Sequence, residues 1–134
     1  MEVKYSENEF GKAKKDKAHI DKFHYTYEPL LMQNPFISRK SKQMENFLIN
    51  YQIMRNLVHI NDNSIVVFIY PKGNKKIDHQ ANMAFSEILT ESGKPKLKLL
   101  LIENAIKYIL ENANSSTLIE HYKEFENKYL GHKT

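Results

Sequence analysis

The sequence predicts an α/β fold, a small sheet with helices packed on its faces. Two nearly all-apolar runs, Ile65–Tyr70 and Leu97–Ile102, have the length and composition of strands buried in a sheet. Segments of helical periodicity separate and follow them. Gly 4 and Pro 4 in 134 residues are too few for a chain of many short strands and tight turns. The length fits one domain spanning 1–134.

The elements follow in order. Met1–Ser6 alternates, with Met1, Val3 and Tyr5 on one side and Glu2, Lys4 and Ser6 on the other, which reads as a short strand. Residues 7–22 are charged and read as an exposed loop leading into a helix over 16–27. Glu28-Pro29 should interrupt that helix, because the residue before proline avoids the helical region. Leu30–Ser41 reads as loop, with Asn34-Pro35 as a second breaker.

Lys42–Asn61 carries the strongest helical pattern. Met44, Phe47, Leu48, Tyr51, Met54 and Val58 form one stripe, and Ile49, Ile53 and Leu57 lie opposite, so burial on two sides is expected. Ile65–Tyr70 follows as a central strand covered on both faces. Asp78 has the chemistry of an N-cap for a helix reaching Thr90. Leu97–Ile102 is the next strand, Glu103–Asn112 the next helix. A last helix runs from Ser116 to Leu130 and stops at Gly131.

Composition removes several functions. Cys 0 excludes disulfides, thiolate nucleophiles and cysteine-ligated zinc. No apolar run approaches the ~20 residues of a membrane span, and no secretory signal opens the chain, so a cytoplasmic location is expected. The six histidines show no H-E-x-x-H or paired metal spacing, and P-loop, G-x-G-x-x-G and G-x-S-x-G motifs are lacking. A formal net charge of +4 permits a phosphate-bearing partner without requiring one.

Three groups of residues have chemical potential. Glu2 and Lys4 share a strand face; a carboxylate can hold a divalent cation, and a lysine beside it can serve phosphodiester hydrolysis. The same pair also suits a plain solvated strand. Gln52, Arg55 and Asn56 share a helix, and Arg55 falls by helical angle within the apolar stripe, where a guanidinium must be paired. Arg55 then serves either structure, through a carboxylate or backbone carbonyls, or phosphate binding. Arginine occurs only at Arg39 and Arg55 in this lysine-rich chain, which favours positions that need its planar fork. Lys12, Lys14, Lys15, Lys17, Arg39, Lys40 and Lys42 could follow a nucleic-acid backbone or form a solvated surface.

Glu2-Val3-Lys4, then Tyr51-Gln52-Ile53-Met54-Arg55-Asn56 on a long helix, then Ile65–Pro71, is similar to the PD-(D/E)XK nucleases. The ending, Leu100-Leu101-Ile102-Glu103 and then Tyr122–Leu130, resembles bacterial restriction-endonuclease-like members. The resemblance implies a mixed sheet of about three strands flanked by helices. It implies a DNA partner, magnesium as cofactor with Glu2 as its ligand, Lys4 as catalytic lysine, and Gln52 and Arg55 facing the active centre with Asn56 in support. Family members place a metal-binding Asp on the strand before E-x-K, and Glu2 stands too near the start for that. The expectation is therefore an N-terminally truncated, partial nuclease-like domain with a weak magnesium site and little activity. A second copy, paired through the exposed first strand, is one way to complete it. The alternative is a non-catalytic module that binds nucleic acid or protein through its lysine-rich face.

Overall fold

The computed structural model describes the backbone of Glu2–Val3 and residues 9–129, with side chains for residues 9–128. Three strands, β1 (Glu2–Val3), β2 (Val66–Tyr70) and β3 (Leu97–Leu101), form one sheet in the order β1-β2-β3. Both pairings are parallel, with Glu2 opposite Phe68 and Val66 opposite Leu97. The sheet is thus parallel where a mixed one was expected. Each strand reaches the next through helices, the connection that parallel neighbours require.

The predicted central strand is central. Phe68 and Tyr70 are buried, whereas Val66, Val67 and Ile69 are half-buried and Ile65 is exposed. One face is therefore fully covered and the other only partly. On the covered face Phe68 meets Phe10, ring centres 4.9 Å apart. Phe10 lies within the charged stretch expected to be a free loop, yet it is buried. Its neighbours are pinned as well: Ala13 N donates to Leu48 O and Gln52 N to Gly11 O.

Helix α1 (Lys17–Lys22) is capped by Asp16, whose side chain accepts from His19 N. A π-helical turn, Phe23–Tyr27, and α2 (Glu28–Met32) continue it. Pro29 does not interrupt the helix as expected, because it occupies the first turn of α2, where its missing N–H costs little. Pro29 and Tyr25 are both exposed, so water can reach the carbonyls left without a donor.

The long helix expected over 42–61 is two helices, α3 (Met44–Ile49) and α4 (Tyr51–Leu57). Asn50 separates them at φ −107°, ψ 34°, outside the helical region. Its side chain donates to Asn46 O, the local hydrogen bonding by which asparagine competes with a helix. The break rotates the second half: α4 buries Ile53, Met54 and Leu57, while Arg55 is exposed rather than inside the apolar stripe. Ile49 is likewise exposed, so α3 is not buried on both sides.

Helix α5 (Lys75–Met83) begins earlier than expected. Asn74, not Asp78, is its N-cap and accepts from Ile77 N. A π-helical turn, Ala84–Ile88, extends it. Helices α6 (Ile102–Asn112) and α7 (Ser116–Tyr129) pack on each other at the end of the chain. Asn34 ties the loop after α2 to the end of α4. Its Nδ2 donates to Val58 O and Ile60 O, and its Oδ1 accepts from Phe36 N. Among the described residues no helix is long and apolar enough to cross a membrane.

Candidate functional site

Helix α4 buries one stripe and must offer the opposite one to solvent. Gln52, Arg55 and Asn56 recur at i, i+3 and i+4, the spacing of one helical face, and His59 follows in the turn after α4. With Tyr27 they line a polar cavity of about 310 Å³. Gln52 Oε1 accepts from Gly11 N at 2.7 Å, and Asn56 Nδ2 donates to Gln52 O at 2.9 Å. Sequence reasoning found Gln52, Arg55 and Asn56 but not His59 or Tyr27. His59 was legible one turn beyond Asn56, whereas Tyr27 comes from a distant segment.

Arg55 is the charged group of this cavity. Its guanidinium carbon lies 5.5 Å from the Tyr51 ring centre, within cation–π range. Among the described residues no carboxylate pairs with it, and none lines the cavity. The Tyr51 hydroxyl is pushed above its ordinary value by burial first and then by its bond with Tyr27; the Arg55 charge opposes the shift. Tyr51 is therefore a neutral platform under the cation, not an anion that neutralises it.

The other site expectations are placed as follows. Glu2 stands opposite Phe68 in the sheet register. Its side chain, and Lys4 altogether, lie outside the described residues. Lys15 pairs with Glu45 at 3.2 Å, and Lys17 pairs with Asp21. Lys14 is exposed near Asp16, whose carboxyl is held below its usual value mainly by hydrogen bonds from His19. Arg39 is exposed; Lys40–Lys42 form a short 3-10 turn, and Lys40 lines a cavity of about 490 Å³ that also holds Glu87. Lys12 lines a different groove with Lys75 and Lys76. Of the basic residues, Lys15 and Lys17 are thus paired with acids, and Lys40 and Lys12 line two different cavities.

A divalent cation needs oxygen donors, with carboxylates foremost. Among the described residues no three His, Cys, Asp or Glu side chains form a group that could hold a metal. The α4 cavity offers amides, a phenol, an imidazole and a guanidinium, a set suited to an anion. The described residues do not fit magnesium.

Two carboxylates near the ends of β2 and β3 are engaged internally. Glu103 accepts from Lys72 N through both oxygens, and Asp78 Oδ1 accepts from the Tyr70 hydroxyl at 2.9 Å. The Tyr70 hydroxyl is pushed far above its ordinary value by burial, then by Asp78. The unfolded chain releases this proton near pH ~10 and the folded chain keeps it, so stability present below that pH is lost as pH rises past it. Tyr70→Phe should cost about 1 kcal/mol at neutral pH for the lost bond. Urea denaturation should show that gap narrowing in alkali, since the variant lacks the titrating group; a constant gap contradicts the assignment.

A family model described as Restriction Endonuclease associating with ARP matches residues 1–130. No curated protein and no solved structure matches the chain.

Proposed function

The chain belongs to the family of restriction endonucleases associating with ARP, and from that premise we propose that it binds duplex DNA by seating a backbone phosphate in the α4 cavity. The observation that carries this reading is Arg55. It is exposed, lies over Tyr51, and faces a polar cavity that no carboxylate lines among the described residues. A guanidinium presents a rigid fork of donors that matches phosphate geometry. Gln52 and Asn56, held by their bonds to Gly11 and to the helix backbone, keep the cavity polar and shaped.

In this reading the chain is nuclease-like, of the PD-(D/E)XK type. Phosphodiester hydrolysis falls to Glu2 and Lys4, with Gln52 and Arg55 positioning the phosphate. The isolated chain is expected to bind DNA and to nick it weakly. A plasmid nicking assay with magnesium or manganese tests the roles: weak nicking that Lys4→Ala abolishes agrees with them. Robust cleavage that survives Lys4→Ala refutes them.

The exposed lysines Lys12, Lys75 and Lys76 lining one groove favour a second reading, a module that holds DNA without cutting it. Its affinity should fall steeply with salt and be indifferent to divalent metal.

A further inference from the structure

A groove of about 380 Å³ apart from the α4 cavity is lined by Glu9, Lys12, Lys75, Lys76, His79 and Gln80. Lys12, Lys75, Lys76 and His79 are all exposed. Among the described residues none of these lysines has a carboxylate partner, in contrast to Lys15 and Lys17. Among the described residues Glu9 is the one carboxylate in the lining. Asp78, on the same helix as Lys75 and Lys76, is engaged elsewhere, accepting from Tyr70 and Asn82. Among the described residues the groove therefore carries net positive charge, with Lys12, Lys75 and Lys76 against Glu9.

The charge is also held in place. Gln80 grips Phe10 from both sides of its peptide: Oε1 accepts from Phe10 N at 2.8 Å, and Nε2 donates to Phe10 O at 3.4 Å. Gly11 N is bound by Gln52, and Ala13 N by Leu48 O. Lys12 thus rises from a fixed backbone beside α5. Phe10-Gly11-Lys12 also joins the two sites. Phe10 touches Gln80 of the groove, and Gly11 touches Gln52 of the α4 cavity. Adjacent residues stand about 3.8 Å apart, so the two depressions flank one short pinned segment.

We propose that this groove is a second seat for the DNA backbone, in which Lys12, Lys75 and Lys76 each neutralise a phosphate of the duplex held at Arg55. The proposal rests on the DNA-binding reading and extends it to Lys75 and Lys76, which lie outside the basic set read from the sequence. Lysine serves here as a point charge, which suits a contact that positions the duplex without reading its bases.

Fluorescence anisotropy of a labelled DNA duplex, titrated at a series of salt concentrations, tests it. The proteins are wild type, Lys12→Ala, Lys75→Ala/Lys76→Ala, Arg55→Ala, and a Lys107→Ala/Lys123→Ala control on α6 and α7. The slope of log affinity against log salt should fall by about one in Lys12→Ala and about two in the Lys75, Lys76 double variant. The control should keep the wild-type slope. An unchanged slope in the double variant, with Arg55→Ala still weakened, overturns the groove and leaves the α4 reading standing. No salt-dependent binding by wild type overturns both. A lysine-dependent preference for an RNA duplex of the same sequence overturns the assignment to DNA.

Discussion

Phe47→Ala should lower stability by about 4 kcal/mol, near the upper end for a buried aromatic. Phe47 has 0% exposure, and its ring lies 5.2 Å from Phe23, 4.9 Å from Tyr27 and 5.9 Å from Tyr51 between ring centres. Those neighbours stand on the π-helical turn after α1 and on α4, and Phe47 itself is on α3. Collapse into the vacated space would require several elements to move together, so the cavity stays open. Against a typical total of roughly 5–15 kcal/mol the loss is large. Urea denaturation should show a lower midpoint with an unchanged slope. A loss under about 1 kcal/mol, well below the range for such truncations, would mean that this aromatic cluster does not organise the core.

Gly93→Ala should cost about 3 kcal/mol through overpacking, with the same readout. Gly93 has φ −81° and ψ −28°, which any residue can adopt. The requirement is space: a Cβ would stand 2.2 Å from Phe36 O. Phe36 cannot yield easily, because its N–H is held by Asn34 Oδ1 and its carbonyl by Thr90 N, both at 2.9 Å. Asn34 is itself fastened to the end of α4. Gly11 provides the contrast. There a Cβ would meet only the Gln52 side-chain oxygen at 3.3 Å, a group that can shift. Gly11→Ala should therefore cost less than Gly93→Ala, and equal losses would contradict the steric account.

Much of the fold was legible because its signals were long or chemically blunt. The runs 65–70 and 97–102 named both β2 and β3 to within a residue or so. The helical run expected over 103–112 matches α6. Failures came where one residue reverses a local trend. Asn50 breaks a periodic run that continues on either side of it, and periodicity cannot register a rotation between two half-helices. Arg55 is exposed because α4 buries Ile53, Met54 and Leu57, whereas Tyr51, which the expected stripe includes, is only half-buried. Phe10 shows the converse, a single apolar residue in a charged stretch that tertiary packing draws into the core. Asn74 and Asp78 both suit a helix start, and only the bond to Ile77 N distinguishes them.

The polar stripe of α4 was legible as far as Gln52, Arg55 and Asn56. That no carboxylate lines the cavity among the described residues was not, because it depends on which side chains the break at Asn50 turns outward. The lysines illustrate the same limit. Lys12, Lys15 and Lys17 are close in sequence, yet Lys15 and Lys17 face acids, and Lys12 joins Lys75 and Lys76 across about sixty intervening residues.

The central claim is that Arg55 holds a DNA phosphate, and the affinity of Arg55→Ala for a DNA duplex tests it most directly, with Arg55→Lys beside it. Arg55 is exposed, so both variants should keep the circular dichroism and urea midpoint of the wild type. Arg55→Ala should bind about tenfold more weakly or worse, uniformly across sequences, as expected for a charge-assisted phosphate contact worth roughly 1.5–3 kcal/mol. Arg55→Lys should recover part of the loss through its charge but not its fork. Wild-type affinity in a folded Arg55→Ala protein would contradict the claim.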